Sequence, residues 1–220
     1  MKKLFSLLSM LCMSMVVFAQ GSLLATLSHD GTISAFYGAS ALASAYNAAE
    51  NGDVITLSSG QFKAINISKN ITLRGAGMSI STDSINAHEA TIIQGAFDVT
   101  QVDSVEDRIV MEGLYFANAI TYKGTLKNAQ FLKCRFSSFT AGTKAVIVNS
   151  SFIHCRFYNG YDQAANSNAY FINSIVCNPA STNTSSVEFD NCFVKFDSNG
   201  YSGDILAGSV INAYYKNGNG

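Results

Sequence analysis

Short stretches of alternating apolar and polar residues, separated by polar turns, make up most of the chain. Residues 24–37 alternate on both sides of Asp30 and Gly31, which predicts a β-hairpin with that dipeptide as its turn. After Asp53 the alternation keeps the period of two that is typical of β-strands. The pattern therefore predicts an all-β fold after a short N-terminal region.

One segment departs from this pattern and predicts a helix. Residues 41–50 are rich in alanine and leucine, Ser40 stands at the N-cap position, and Asn51 and Gly52 follow. We expect this helix to cap the solenoid described next, by covering the strand edge of its first coil.

The strand pattern repeats with a mean interval near 19 residues. Eight aligned positions are spaced 16 to 24 residues apart, and in the last six a large apolar residue follows three positions later. Two successive repeats, NAQFLKCRF from Asn128 and NSSFIHCRF from Asn149, are nearly copies. The aligned positions are Arg74, Gln94, Glu112, Asn128, Asn149, Asn173, Asp190 and Gly208.

This repeat predicts a parallel β-helix, a solenoid of about eight coils with three short strands and three turns in each. Stacked coils bring equivalent side chains to about 4.8 Å from one another. We therefore expect the asparagines of three successive repeats to form a ladder, and Phe131, Phe152 and Phe193 to point into the core. An antiparallel β-sandwich is the alternative, although it does not require equivalent residues to align.

The segment after the predicted helix contains three consecutive motifs. They are Gly-Asp-x-Ile-x-Leu at residues 52–57, a Gly-x-aromatic turn at 60–62, and Ile-Thr-Leu-Arg-Gly-x-Gly at 71–77. With the helix before them, these motifs resemble the start of a β-helix of the pectin-lyase-like superfamily. The resemblance covers roughly residues 41–212 and implies a right-handed, single-stranded parallel β-helix. It does not imply one function, because the superfamily includes lyases, hydrolases, adhesins and non-catalytic domains.

The first 19 residues have the parts of a secretory signal peptide. Lys2 and Lys3 precede an uncharged apolar run, and the small residues Val17 and Ala19 precede Gln20. The run of 15 residues is shorter than the roughly 20 needed to cross a bilayer. We expect a secreted protein, extracellular, on the cell surface or periplasmic, with no membrane span in the mature chain. The expected organisation is a signal peptide at 1–19, a hairpin and capping helix at 20–52, and the β-helix at 53–220.

The charge balance excludes one class of partner. Lys and Arg total 14 against 15 Asp and Glu, for a net charge of -1. This gives no basis for binding nucleic acid, which requires a basic surface.

Four cysteines follow the predicted signal peptide: Cys134, Cys155, Cys177 and Cys192. Export permits disulfides, and four cysteines allow three complete pairings. Cys134 and Cys155 occupy equivalent positions, so they are expected to be stacked neighbours. Both a disulfide and a pair of buried thiols remain open for them.

The repeat also aligns positive charges. Lys133 is equivalent to His154, and Arg135 to Arg156. With Lys195 these residues, here called the cationic strip, are the candidate binding site for an acidic polysaccharide such as a uronic-acid glycan. Stacked like charges repel, and carboxylates would neutralise them. Phe136 and Tyr158 are expected to stack on sugar rings; the alternative is that these positions simply face water.

The sequence predicts no catalytic residue, no metal site and no cofactor. Two acidic loops, at 98–107 and 197–204, have the composition but not the full pattern of calcium loops. We expect a secreted, non-catalytic β-helix protein that contacts extracellular carbohydrate or a partner surface. Two alternatives remain: a polysaccharide lyase for acidic glycans with Arg135 or Arg156 as base, and a structural or oligomerising surface module. The sequence does not specify an oligomeric state.

Overall fold

A computed structural model describes residues 23–79, 90–101, 108–181, 185–196, 204–205 and 211–215. The described chain forms a parallel β-solenoid of about six turns, with 58% of residues in strands and one helix. The predicted parallel β-solenoid is thus confirmed. Within the described ranges, no helix is long and apolar enough to cross a membrane. The predicted signal peptide lies outside them.

The predicted hairpin is formed by β1 (Leu24–His29) and β2 (Thr32–Tyr37). Asp30 and Gly31 both have positive φ, 46° and 75°, which matches the twist of a two-residue turn. The helix, α1, covers Ala41–Ala48 and ends two residues before the predicted boundary because Ala49 is extended.

The first sheet has ten strands in the order β2-β1-β3-β5-β8-β12-β15-β17-β20-β22, antiparallel as far as β3 and parallel beyond it. The new strands are β3 (Val54–Leu57), β5 (Thr72–Arg74), β8 (Val110–Glu112), β12 (Gln130–Leu132), β15 (Ser150–Ile153), β17 (Asn168–Ile172), β20 (Ser186–Asp190) and β22 (Asp204–Ile205).

The second sheet has eleven strands, of which eight stack in the order β23-β21-β18-β16-β13-β9-β6-β4. These are β4 (Gly60–Lys63), β6 (Thr91–Gln94), β9 (Leu114–Phe116), β13 (Arg135–Ala141), β16 (Arg156–Gln163), β18 (Ile175–Cys177), β21 (Cys192–Phe196) and β23 (Ile211–Tyr215). The other three are β7 (Phe97–Thr100), β10 (Ile120–Lys123) and β19 (Pro179–Ser181), which pair alongside, and a third sheet pairs β11 (Thr125–Lys127) with β14 (Val146–Val148).

The hairpin, rather than the helix, covers the first strand edge. β1 pairs antiparallel with β3, so its backbone satisfies the edge that the helix was expected to cover. The helix instead packs against the hairpin. The expected Ser40 cap is also wrong, since its side chain makes no capping hydrogen bond. The C-terminal carbonyls of the helix are satisfied by Lys69, whose Nζ donates to those of Tyr46 at 2.8 Å and Ala49 at 2.6 Å.

Stacked aromatic rings fill the core. On the first sheet the ring centroids of Phe131 and Phe152 are 4.8 Å apart, and Phe171 and Phe189 continue the stack at 4.9 and 5.1 Å. Phe131 and Phe152 are therefore buried as predicted. Phe193 is not, because it lies on the outer face of the second sheet and is 46% exposed.

The error at Phe193 arises from the alignment of Asn173 with Asn149. Register places Asn149 opposite Asn168 and Asn173 opposite His154, because Ser150 pairs with Ala169 and Ile153 with Ile172. The eight-residue β16 lengthens this coil and shifts the apparent row by five residues. The expected asparagine ladder is thus divided between two corners of the solenoid.

The cysteines form a ladder of buried thiols, and none of the four is in a disulfide. Cys134, Cys155 and Cys192 are buried, and each Sγ donates to backbone carbonyls. Cys134 Sγ, for example, lies 3.4 Å from the carbonyl oxygens of Met111 and Leu132. Burial raises the pKa of the Cys134 thiol to about 12 and raises the pKa values of Cys155 and Cys192 as well. Cys177 is half-buried.

Alkylation is expected to separate these four thiols in the folded protein. Iodoacetamide should modify Cys177 first, because the other three are inaccessible and their raised pKa values suppress the reactive thiolate. Peptide mass spectrometry after a timed reaction measures the order, and urea should make all four react. Modification of Cys155 as fast as Cys177 in the folded state would contradict the buried ladder.

A histidine–carboxylate pair fastens the hairpin to the first coil. His29 Nδ1 lies 2.9 Å from Asp53 Oδ1, and Asp53 also accepts a hydrogen bond from the backbone N–H of Glu50 at 2.7 Å. The hydrogen bond to Asp53, and then the charge of that carboxylate, raise the pKa of His29.

This pair gives the N-terminal region a pH-dependent stability. Because the folded-state pKa is raised, the contribution is complete below the ordinary histidine pKa of about 6.5 and is lost as pH rises through the folded-state pKa. The Tm of wild type should exceed that of His29→Gln at acidic pH, and the difference should shrink in alkaline buffer. A difference that grows with pH would refute the pairing.

Candidate functional site

The first part of the site is the corner between the two main sheets. Pairing of β8, β12, β15, β17 and β20 aligns the residue that follows each strand. All five have left-handed backbones, with φ between 49° and 65°. This corner row consists of Gly113, Lys133, His154, Asn173 and Asn191.

The left-handed backbone favours Gly and Asn over other residues. Six of the ten described non-glycine residues with positive φ are Asn. At the corner, Asn191 Nδ2 donates to Asn173 Oδ1 at 2.6 Å, and Asn173 Nδ2 donates to His154 Nε2 at 3.3 Å. The side chains at Lys133 and His154 are therefore not the ones the backbone favours. Both are exposed and place cationic or ionisable groups on the surface.

The second part of the site is a row on the outer face of the second sheet. Arg135 pairs with Tyr115 on one side and with Arg156 on the other, and Ile175 and Phe193 continue the row. The Arg135 guanidinium carbon lies 4.3 Å from the ring centroids of both Tyr115 and Tyr158. The Arg156 guanidinium lies 4.3 Å from Tyr158. Arginine and tyrosine groups thus stack along the solenoid axis.

This stacking leaves part of Arg135 unsatisfied. Its Nε is buried and has no hydrogen-bond partner in the described protein. A buried N–H of a cation without an acceptor is unfavourable, and a carboxylate is the acceptor best matched to a guanidinium.

The structure brings four members of the cationic strip together and sets the fifth apart. Lys133 and His154 are adjacent in the corner row, and Arg135 and Arg156 are adjacent in the outer row. Lys195 lies farther along the second sheet, opposite Cys177. The expectation for Phe136 is wrong, because its ring is fully buried in the core. Tyr158 is on the surface, but both of its ring contacts there are already with arginine.

Sequence reasoning missed Tyr115 as a site residue. The alignment placed it three residues after Glu112, where a core residue was expected. Glu112 instead pairs with Leu132, so Tyr115 points outward under Arg135. Strict alternation from the buried Leu114 and Phe116 would have placed it correctly.

A cleft of about 390 Å³ lies beside Lys133, at one end of the site. Arg74 and Glu112 line it and form an ion pair with Nε 2.9 Å from Oε2. Its floor is narrow because Gly75 and Gly113 approach so closely that a Cβ on Gly75 would lie 2.5 Å from the Gly113 carbonyl oxygen. The cleft therefore has one cation, Lys133, beyond the ion pair.

Neither acidic loop presents a described cation site. Asp98 Oδ2 accepts a hydrogen bond from Lys123 Nζ at 2.6 Å, and residues 102–107 lie outside the described chain. The second loop lies outside it up to residue 203. In the described ranges, no group of three or more His, Cys, Asp or Glu side chains is placed to hold a metal.

Comparison of the chain with protein-family models, curated proteins and solved structures finds no match.

Substitution at the corner row should separate stability from binding. Lys133→Gly and His154→Asn are each expected to stabilise the fold, by about 1 kcal/mol, because they relieve the left-handed backbone. Both should weaken polyanion binding because they remove a cationic or ionisable group from the site. Urea unfolding and polygalacturonate titration measure the two effects.

Lys144→Asn is the matched control. Lys144 is exposed, has φ 55° and precedes β14, away from the strip. Its replacement should raise stability without weakening binding. Equal losses of binding in all three variants would show that the corner row has no special role.

Proposed function

We propose that the protein is a secreted, non-catalytic β-solenoid that binds acidic polysaccharide along the cationic strip. The observation that supports this most strongly is the pair Arg135 and Arg156, held on adjacent strands by Tyr115 and Tyr158. Two like charges about 4.8 Å apart repel one another. Stacking on tyrosine fixes the guanidinium planes and offsets part of this repulsion.

The arrangement suits a linear polymer with a repeating negative charge. Strand spacing sets one guanidinium per coil, and the corner row adds Lys133 and His154 about 7 Å away, two residues along each coil. Carboxylates of successive sugars would meet successive arginines in bidentate contact, and Arg135 Nε would gain an acceptor.

We further infer that the chain belongs to the pectin-lyase-like superfamily and is exported. The motifs at 52–57, 60–62 and 71–77 support the first inference, and the parallel solenoid is consistent with it. The basic and apolar parts of residues 1–19 support the second. N-terminal sequencing of exported protein should begin at Gln20.

A panel of glycans tests the proposal. Polygalacturonate should bind, and an uncharged dextran of similar length should not, because the contacts are ionic. The ultraviolet absorbance of an unsaturated sugar should stay flat during incubation with polygalacturonate. Formation of that product would instead support a lyase with Arg135 or Arg156 as base. Absence of binding to every acidic glycan would support a structural module.

A further inference from the structure

The outer edge of the first sheet is formed by β2. β1 pairs with one side of this strand, and no described residue pairs with the other. The sequence TISAFY contains no charged residue and no proline, which are the usual protections of an exposed edge. Ile33 and Tyr37 are 73% and 66% exposed.

The register of the hairpin determines which backbone groups face outward. His29 and Thr32 flank the two-residue turn, so they form the first hydrogen-bonded pair. The N–H groups of alternate residues from Thr32 onward therefore point to β1, as shown by the bond from Gly38 N to the Leu23 carbonyl at 2.8 Å. The N–H and C=O groups of Ile33, Ala35 and Tyr37 point away from β1.

We propose that this edge pairs with β2 of a second copy, antiparallel about a two-fold axis at Ala35. In this register Ala35 faces its own equivalent, and Ile33 faces Tyr37 of the other copy on both sides of the axis. All the outward N–H and C=O groups of the three residues then find partners. The exposed Ile33 and Tyr37 side chains cover one another, with the small Ala35 between them.

The contact area and the charge select a second copy and set the expected strength. An uncharged strand brings no like-charge repulsion when it meets itself. Six residues on each side give a contact smaller than the roughly 1,200 Å² of a stable interface. The dimer is therefore weak and forms with rising protein concentration.

Engineered cysteines test the register. In a Cys12→Ser/Cys177→Ser background, Ala35→Cys should give a disulfide-linked dimer on mild oxidation. Cα atoms of a hydrogen-bonded antiparallel pair lie about 5.5 Å apart, within disulfide range. Thr32→Cys is the matched control, since its two copies would be about 20 Å apart, and it should stay monomeric. Equal cross-linking of both variants would overturn the register.

Sedimentation of the full chain without engineered cysteines tests the association itself. Wild type should shift from monomer to dimer as concentration rises, and Ala35→Pro should abolish the shift. Proline at this position removes an outward N–H and leaves the bonds to β1 intact, so the melting curve should show a folded protein. Monomeric wild type at every concentration, with no cross-link through Ala35→Cys, would overturn the proposal; residues 1–22 or another protein would then be the occupant to seek. Glycan binding is measured separately and does not depend on this outcome.

Discussion

Replacing Phe152 with alanine is expected to lower the free energy of unfolding by about 3–5 kcal/mol. Phe152 is fully buried, and its ring contacts six others. It stacks between Phe131 at 4.8 Å and Phe171 at 4.9 Å, and it meets Phe139 edge-on at 5.3 Å. Removal leaves a cavity between coils that the rigid strand stacking cannot close.

Phe193→Ala is the matched control, since the same atoms are removed from an exposed position. Its expected loss is about 0.5 kcal/mol or less. Urea unfolding of both variants and wild type measures the difference. A loss below about 1 kcal/mol for Phe152→Ala would contradict the placement of the aromatic stack in the core.

The sequence predicted the solenoid well, since stacked coils place similar side chains at equivalent positions. The near copies that begin at Asn128 and Asn149 correctly aligned Lys133 with His154 and Arg135 with Arg156. They succeed because both coils have the same strand and turn lengths up to β13 and β16.

Beyond these copies the alignment failed where coil length changes. A turn asparagine is favoured at any left-handed corner, so Asn168 and Asn173 compete as equivalents of Asn149. Only strand pairing decides between them. The same ambiguity placed Tyr115 inside and Phe193 in the core, although alternation along each strand points both outward.

The second large effect is expected from charge reversal in the outer row. Arg135→Glu/Arg156→Glu should weaken polygalacturonate binding by about 100-fold or more. Each charge-assisted hydrogen bond contributes about 1.5–3 kcal/mol, and about 1.4 kcal/mol corresponds to tenfold in Kd. Both residues are on the surface, so the fold should survive, which circular dichroism and the melting curve check.

Lys127→Glu/Lys144→Glu changes the net charge equally and is the matched control. Lys127 ends β11 in the third sheet, Lys144 lies in the turn before β14, and both are exposed. General attraction to a polyanion would weaken similarly in both double variants. A specific site would weaken mainly in the arginine variant.

The most direct measurement is an equilibrium titration of polygalacturonate into wild type and these two double variants, at low and at physiological salt. The account predicts binding by wild type that weakens as salt screens the contacts, near-wild-type binding by the lysine variant, and little or none by the arginine variant. Wild-type affinity retained in the arginine variant would contradict the claim that Arg135 and Arg156 form the binding site.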